Sequence, residues 1–92
     1  MIKNFKDKKT EEFFSGKTVK QFSVFKKAAE RKLSILDNAA ELRDLLAPPA
    51  NRLEKLKGDR AGQHSIRIND QWRICFEWKE DGPYAVEITD YH

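Results

Sequence analysis

The residues of this chain that are best suited to chemistry are cationic, and they lie in its C-terminal third. Lys57 and Arg60 stand in a segment with two glycines, Arg67 and Arg73 stand in apolar-alternating runs that follow, and the chain ends with Asp90-Tyr91-His92. Arginine binds phosphate oxygens bidentately and stays charged at any biological pH, and histidine changes charge near neutrality. These residue types suit the binding or cleavage of a phosphodiester without a metal ion.

RNA cleavage of this kind needs three functions. One group must accept the proton of the 2′-hydroxyl, another must protonate the 5′-oxygen, and cations must stabilise the charge that develops on the phosphate. Residues that can supply these functions are Lys57, Arg60, Arg73, Tyr91 and His92. His92 is the candidate proton donor, because its own α-carboxylate favours the imidazolium. The alternative is that this terminal residue only frays.

The residue pattern does not call for a metal or a cofactor. No cluster of His, Cys or carboxylates has the spacing of metal ligands, and no Ser/His/Asp set is evident. Cys75 is the only cysteine, which excludes an internal disulfide framework and fits a reducing compartment. We interpret His64, the other imidazole, as a packing or surface residue. We therefore expect neither a metal nor a cofactor.

The net charge is only +3, but the positive residues are concentrated in two zones. Residues 1–36 hold 10 Lys or Arg against 4 Asp or Glu, and residues 51–75 hold 6 against 3. Residues 37–50 and 76–92 are acidic, with 1 against 3 and 1 against 5. Such clustering favours association with a polyanion such as RNA or DNA. The alternative is that the lysines are solvated charges on helix surfaces.

Length and composition are those of one folded domain, which we assign to residues 1–92. The chain has 92 residues, of which 39% are hydrophobic, so a packed core is within reach. It holds no apolar stretch long enough for a signal peptide or a membrane span. We expect a soluble, cytoplasmic protein with no membrane association.

The first half of the chain is predicted to be mainly helical. Ile2–Phe5 alternates like a short edge strand, and residues 7–20 suit a helical turn and a loop. Ser23 is a plausible N-cap for an amphipathic helix that runs to about Asp37. Residues 40–46 predict a second helix with Leu42, Leu45 and Leu46 on one side. Pro48-Pro49 ends that helix.

The second half alternates with period two. Leu53 and Leu56 flank Glu54-Lys55, and apolar residues alternate with polar ones in the runs 66–68, 72–78 and 84–88, with turn signals between the later runs. This pattern predicts a three- or four-stranded antiparallel meander. The predicted fold is α+β, with an N-terminal strand and two helices packed on a small antiparallel β-sheet.

The same alternation predicts which face of the sheet carries chemistry. If Trp72, Ile74, Phe76, Trp78 and the run Tyr84, Val86, Ile88 face the helices, Arg67 and Arg73 share the other face. Tyr91 has the parity to join them. The alternative is that the two arginines form cross-strand pairs with Glu77 or Glu87.

The segment Lys57–Gly62 adds cations that could bind phosphate. Lys57 and Arg60 stand beside glycines that permit close backbone approach, and Lys55 precedes them. The spacing lacks the pattern of a Walker-type phosphate loop, so the alternative is an ordinary turn with solvated charges. We predict Arg60, Arg67 and Lys55 as RNA- or phosphate-binding residues.

At these residues the sequence resembles the HigB-type toxins of the RelE/ParE superfamily, which are ribosome-dependent messenger-RNA interferases of bacterial toxin–antitoxin modules. The resemblance extends over essentially the whole chain. Its segments are Met1–Phe5, Ala29–Leu33, Pro48–Leu53, Lys57–Arg73 and Asp90–His92. It implies a RelE-like fold and cleavage of messenger RNA in the ribosomal A site. It also implies a helix-turn-helix antitoxin of the HigA type, and binding of operator DNA only by the complex with that antitoxin.

The resemblance also implies roles for individual residues. Lys57 and Arg73 correspond to cations that bind the phosphate or stabilise the transition state, and Asp90, Tyr91 and His92 correspond to a C-terminal catalytic group. Some relatives have a histidine where this chain has Glu54. A carboxylate cannot be a cationic phosphate ligand, although it can accept a proton, so the general base is left unassigned.

Two other functions are compatible with the same residues. A toxin of the ParE branch would inhibit DNA gyrase and would not need Tyr91 or His92. A non-catalytic protein would act only by binding its antitoxin or RNA. For the antitoxin, the edge residues Ile2 and Phe5 and the helix from Ser23 to Asp37 are candidate contacts. The alternative for these side chains is internal packing.

Overall fold

The structure is a computed structural model that describes residues 1–90. Tyr91 and His92, two of the predicted site residues, lie outside the described residues. Within residues 1–90 the α-helices are α1 (Lys8–Phe14) and α2 (Lys26–Asn38). The strands are β1 (Glu54–Lys55), β2 (His64–Arg67), β3 (Arg73–Lys79) and β4 (Gly82–Thr89). Short 3₁₀ helices occupy Lys20–Phe25, Leu42–Leu46, Pro49–Asn51 and Gly58–Arg60.

The strands form one antiparallel sheet in the order β1-β2-β3-β4. This order confirms the predicted meander and the α+β class. Asn69 forms the turn between β2 and β3, since its side-chain oxygen accepts hydrogen bonds from the backbone N–H groups of Gln71 (2.8 Å) and Trp72 (2.7 Å). Short connections of this kind favour antiparallel neighbours.

One face of the sheet carries the hydrophobic core. Ile66, Ile74, Phe76 and Val86 are completely buried on this face, as the period-two pattern predicts. The helical half covers them with buried apolar side chains, namely Phe13, Phe22, Phe25, Ala29, Leu33, Leu36 and Leu45. Burying one large apolar side chain stabilises a fold by roughly 1.5–3 kcal/mol. The core therefore fixes which strand residues point to the opposite face.

Helix α1 confirms the helical turn predicted within residues 7–20. Asp7 is its N-cap and accepts a hydrogen bond from the Thr10 N–H at 3.4 Å. Thr10 is itself buried, and its hydroxyl oxygen accepts a bond from the Ile88 N–H at 3.0 Å. This bond attaches α1 to the end of β4 that leads to Asp90.

Helix α2 begins two residues later than predicted, because its N-cap is Phe25 and not Ser23. Ser23 does not cap it, because its hydroxyl donates to the Lys20 carbonyl oxygen at 2.8 Å within the preceding 3₁₀ turn. The N-cap position is Phe25, which has no side-chain cap bond. The helix is amphipathic as predicted, since Ala29, Lys32, Leu33 and Leu36 are buried on one side of it.

The second predicted helix is a 3₁₀ helix, Leu42–Leu46, with a capping box between Glu41 and Asp44. Leu45 is fully buried, but Leu46 is 64% exposed. The prediction that three leucines share one side is therefore wrong for Leu46. With three residues per turn, Leu42 and Leu45 eclipse one another and Leu46 points elsewhere.

The N-terminal segment, predicted as a short edge strand, lies along the free edge of β4 but forms a single parallel bridge, Phe5 to Val86, rather than a strand. The Lys3 N–H donates to the Pro83 carbonyl and the Lys6 N–H to the Val86 carbonyl, both at 2.9 Å. These bonds cover backbone groups that an open edge would expose.

A β-bulge in β4 changes the predicted facing of Tyr84. Cys75 pairs with Glu87 while Glu77 pairs with Tyr84, so β4 has one more residue than β3 over this span. Ala85 absorbs the irregularity at φ +53°. Tyr84 therefore shares a face with Glu77 rather than with Val86, and the prediction that Tyr84 faces the helices is wrong.

No helix within residues 1–90 is long and apolar enough to cross a membrane.

Candidate active site

Two cross-strand rows of side chains lie on the face of the sheet opposite the core. In the first row Arg67 pairs with Arg73, and Arg73 pairs with Thr89. Directly paired residues of antiparallel strands project on the same side, so the two arginines lie next to each other as the alternation predicts. Two like charges in this position repel, and an anion bound between them would relieve the repulsion.

The second row lies two residues further along the strands. It consists of Glu54, Ser65, Cys75 and Glu87. Ser65 and Cys75 are buried, whereas Glu54 is exposed. The rows are separated by roughly 7 Å, the span of two residues in a strand. One phosphodiester link with its neighbouring riboses can therefore contact both rows.

The guanidinium of Arg73 is held in place by two hydrogen bonds. Its Nε donates to the Ser65 hydroxyl at 2.8 Å, and its Nη2 donates to the Arg52 carbonyl at 2.7 Å. A guanidinium has five N–H donors, so three remain for another acceptor. Arg73 is thus oriented in advance and keeps the planar geometry that phosphate recognition uses.

Arg67 makes a surface ion pair with Asp70, whose side chain is 99% exposed. Such pairs contribute about 0–1 kcal/mol, so a phosphate can displace the carboxylate. The alternative of pairs with Glu77 or Glu87 does not describe these arginines: Arg67 bonds to Asp70, and Arg73 bonds to Ser65 and Arg52.

Glu87 pairs instead with Arg60, at 3.2 Å from Nη1 to Oε1. The same Nη1 donates to Gln63 Oε1 at 3.2 Å, and both side chains of the ion pair are less than a quarter exposed. Arg60 therefore attaches the 3₁₀ turn Gly58–Arg60 to β4. The sequence predicted a phosphate-binding residue at this position but not this structural contact.

A cleft of about 480 Å³ lies beside this ion pair, and its lining residues are Glu54, Lys55, Leu56, Lys57 and Arg60. Lys57 is exposed here, directly before the 3₁₀ turn. The cleft adjoins the second row of side chains through Glu54, which pairs with Ser65. Lys57 and Arg60 thus share a cleft with Glu54, the carboxylate that is a candidate proton acceptor, and Arg60 reaches the Arg73 face of the sheet through its ion pair with Glu87.

Lys55 differs from the other predicted phosphate-binding residues. It pairs with His64, and His64 pairs with Phe76, so it projects toward the core side of the sheet while lining the end of the cleft. Burial and, to a smaller extent, the charge of Lys55 lower the pKa of His64. The His64 ring stacks on Phe76 at 6.3 Å between centroids, which agrees with the predicted packing role.

Asp90 is the last described residue. It follows Thr89, which is paired with Arg73, and its Oδ2 accepts a hydrogen bond from the Gln71 side chain at 2.7 Å. The C-terminal predicted site thus begins at the Arg73 end of the sheet. The remaining two residues of that site, Tyr91 and His92, lie outside residues 1–90.

Cys75 lies under the cationic face and is not suited to nucleophilic chemistry. It is 1% exposed, and burial raises the pKa of its thiol to about 11, against the smaller lowering effects of Arg60 and Arg73. A thiolate is the reactive form of cysteine, so this residue stays a neutral packing group near pH 7.

Four residues that support this face were not predicted from the sequence: Ser65, Asn51, Arg52 and Lys32. Lys32 is 4% exposed, and its ammonium donates to Asn51 Oδ1 at 2.5 Å. Burial, followed by the charges of Arg31 and Arg67, lowers its pKa. The sequence does contain a signal for the burial of Lys32, because this lysine falls at a position where the spacing of α2 predicts an apolar residue. Buried lysines are rare unless paired.

Comparisons with known proteins show which family this chain resembles. A model of the HigB-like toxin family, described as the RelE-like toxin of the type II toxin–antitoxin system HigB, matches residues 3–92. Toxin HigB-1 of Vibrio cholerae serotype O1 is 42% identical over 94 residues, covering 100% of this chain and 98% of that protein. Endoribonuclease HigB of Proteus vulgaris is 36% identical over 61 residues, covering 66% of this chain and 65% of that protein.

The fold also has a solved counterpart. The YoeB–YefM complex from Staphylococcus aureus contains a chain with a TM-score of 0.64 and 20% identity, and the match covers 100% of this chain and 98% of that one. This likeness confirms the predicted RelE-like arrangement of helices on an antiparallel sheet.

Proposed function

The chain belongs to the HigB-like family of RelE-like toxins of type II toxin–antitoxin systems, and on this premise we propose that it cleaves translated messenger RNA in the ribosomal A site and thereby arrests growth. It is a toxin with endoribonuclease activity, the activity named for the Proteus vulgaris relative. Our proposal adds to this activity that cleavage depends on the ribosome and that the substrate is translated messenger RNA. Such a substrate places its action in the cytoplasm.

One observation carries the proposal, namely the pairing of Arg67 with Arg73 on the face opposite the core. Adjacent guanidiniums are costly unless an anion joins them, and the phosphodiester of RNA is an anion of matching geometry. Arg73 is already oriented by Ser65 and Arg52, so little ordering is lost when it binds.

The proposed reaction is attack of the 2′-oxygen on phosphorus. The P–O5′ bond breaks, which gives a 2′,3′-cyclic phosphate and a 5′-hydroxyl. The proton of the 2′-hydroxyl goes to a base, for which Glu54 in the cleft is the candidate, and His92 donates a proton to the leaving 5′-oxygen. Arg73 and Lys57 stabilise the developing charge, Asp90 and Tyr91 act with His92, and Arg60, Arg67 and Lys55 bind flanking phosphates. No metal or cofactor takes part.

The partner that inhibits the toxin is an antitoxin, as in any type II module. We propose that it is a small helix-turn-helix protein of the HigA type, and that only the complex of the two proteins binds operator DNA. Co-expression of the chain with the neighbouring reading frame, followed by gel-shift assays on the upstream DNA, tests this part. Binding of the operator by the toxin alone would contradict it.

The decisive experiment adds the purified chain to translating ribosomes and maps message ends by primer extension, with EDTA-treated naked RNA as a second substrate. We expect cuts within codons on ribosomes only, and a strongly reduced but measurable rate of cutting in Arg73→Ala. Arg43→Ala is the matched control, because Arg43 is exposed and its guanidinium pairs with Glu41 rather than with a predicted site residue. Intact message with normally loaded ribosomes would refute ribosome-dependent cleavage.

A further inference from the structure

We infer that Lys32 and Asn51 are positioning residues for Arg73, acting through the turn that presents the Arg52 carbonyl oxygen. This inference rests on the proposed function only for its kinetic consequences. Its structural basis lies entirely within residues 1–90, in side chains that stand in segments of the family resemblance but to which neither the resemblance nor the sequence assigned a role.

The turn between the Leu42–Leu46 3₁₀ helix and β1 is organised by the Asn51 side chain. This side chain is fully buried, and its amide nitrogen donates to the carbonyls of Leu45 and Ala47, both at 3.2 Å. Its backbone N–H donates to the Pro48 carbonyl at 2.9 Å. One residue therefore bonds to three carbonyls, of which that of Leu45 lies in a buried setting and needs a donor.

The amide oxygen of Asn51 receives the ammonium of Lys32. Lys32 lies on α2, 19 residues earlier, and its Nζ donates to Asn51 Oδ1 at 2.5 Å in a buried setting. Within residues 1–90 no carboxylate forms a salt bridge with Lys32. A buried ammonium held by an amide oxygen is costly, so its presence next to the cationic face calls for an explanation.

The next residue along the chain is the link to the candidate active site. Arg52 has a left-handed backbone, with φ +46° and ψ +55°, and its N–H donates to the Pro49 carbonyl at 3.1 Å. This conformation costs a residue with a side chain about 1–3 kcal/mol unless neighbours enforce it. It directs the Arg52 carbonyl to Arg73 Nη2, which donates to it at 2.7 Å.

A continuous series of short contacts thus joins α2 to the guanidinium. Lys32 holds the Asn51 amide, Asn51 holds the turn, and the turn holds Arg73. Ser65 fixes the same guanidinium at Nε from the sheet side. With both contacts the guanidinium plane is defined, whereas with Ser65 alone the group can rotate about the remaining torsions.

The test uses two readouts, one of which does not depend on catalysis. The first is the NMR signal and solvent exchange of the Arg73 Nη–H groups, since Nη2 donates to the Arg52 carbonyl. We expect wild-type protection to fall in Lys32→Met, which keeps side-chain length without the ammonium, and in Asn51→Asp, which loses both amide donors. Lys27→Met on the exposed side of α2 is the matched control and leaves the signal unchanged.

The second readout is the single-turnover cleavage rate in a double-mutant cycle. Lys32→Met should lower kcat roughly 10- to 100-fold with little change in KM, because small displacements of a catalytic group cost rates of this order. In the Arg73→Ala background the same change should lower the rate no further, since its effect passes through Arg73.

Three results would overturn the inference. Unchanged Arg73 Nη–H signals in both variants would show that the turn does not orient the guanidinium. Equal rate losses with and without Arg73 would show a general effect on the fold. Failure of both variants to fold would reduce Lys32 and Asn51 to core residues. If the wild type cleaves nothing, the proposed function fails, while the NMR readout still decides the positioning role.

Discussion

Arg73 Nε donates to the buried Ser65 hydroxyl at 2.8 Å, so a charged side chain of β3 is anchored by a small residue of β2 that pairs with Cys75. The anchoring places the arginine over the strand rather than in solvent. Hydrogen bonds to charged groups stabilise by about 1.5–3 kcal/mol, so this contact is strong enough to fix the side chain.

Ser65→Ala should therefore lower the cleavage rate while the protein remains folded. We expect a decrease of about tenfold in kcat, the lower end of what a hydrogen bond to a charge contributes. Single-turnover assays on ribosome-bound message measure it. Ser23→Ala, which removes an exposed hydroxyl bonded only to the Lys20 carbonyl, is the control. Equal rates for the two variants would show that Arg73 needs no anchor from β2.

Arg67 should contribute to RNA affinity more than to the chemical step. Its partner Asp70 is exposed and competes with phosphate, so Arg67→Ala should weaken binding whereas Asp70→Asn should strengthen it. For single strands, loss of one phosphate contact should reduce the slope of log affinity against log salt by about 0.7. Fluorescence anisotropy with a 2′-deoxy substrate at several salt concentrations measures both values. An Asp70→Asn variant that binds no better would refute the competition.

His64 should make the fold sensitive to mild acid. Burial, aided by the charge of Lys55, lowers its pKa below the ordinary 6.5, so the unfolded chain binds more protons than the folded one between the two pKa values. This contribution to the free energy of unfolding is complete above about pH 6.5 and decreases as the pH falls from there toward the folded pKa. Urea unfolding from pH 5 to 8 measures it.

His64→Phe is the matched variant for this measurement, since it keeps the ring stacked on Phe76 and removes the titration. Its stability should change less over the same pH range than that of the wild type. In addition, Lys55→Ala should raise the NMR-detected pKa of His64. Lys79→Ala, at the C-terminal end of β3, should not change that pKa. A His64 that titrates above 6.5 would contradict the sign of the argument.

The period-two pattern was sufficient to predict the strands and the face on which Arg67 and Arg73 lie. It failed where the period is broken locally. The bulge at Ala85 turns the Tyr84 side chain to the opposite face of the sheet, and the alternation of residues 84–88 does not predict this bulge. Likewise Ser23 is of a residue type that often caps helices, but its hydroxyl donates to the Lys20 carbonyl oxygen within the preceding 3₁₀ helix.

In the candidate active site, too, the sequence predicts some features and not others. Residue type indicates that Arg73 and Lys57 can bind phosphate, but not what holds them. Ser65 and the Arg52 carbonyl are supplied by segments distant in sequence, and a backbone carbonyl has no sequence signature. Arg60 was predicted to bind RNA because of its charge, and in the fold its guanidinium forms an ion pair with Glu87.

Cys75 should be chemically silent in the folded protein. It is buried, and burial raises the pKa of its thiol to about 11. At pH 8 a disulfide reagent such as dithionitrobenzoate should not react with it until urea unfolds the chain. Cys75→Ala should retain cleavage activity, with a modest loss of stability from the cavity. Rapid labelling of the native protein would show that the sheet opens at Ser65 and Cys75 more often than its burial indicates.

Lys57 and Arg60 should separate catalysis from stability, although both line the same cleft. Lys57 is exposed, so Lys57→Ala should change the free energy of unfolding by less than about 0.5 kcal/mol while it lowers kcat. Arg60→Ala leaves the half-buried carboxylate of Glu87 without its ion pair and should cost about 1 kcal/mol of stability.

The control for Arg60 is the double variant Arg60→Ala/Glu87→Gln, in which the unpaired charge is removed. It should recover part of the lost stability but none of any lost RNA affinity, because Gln restores no cation to the cleft. Thermal unfolding and anisotropy on the same samples separate the two effects. If the double variant recovers RNA binding as well, Arg60 acts only by holding the Gly58–Arg60 turn, and Lys57 is then the cation of this cleft that contacts phosphate.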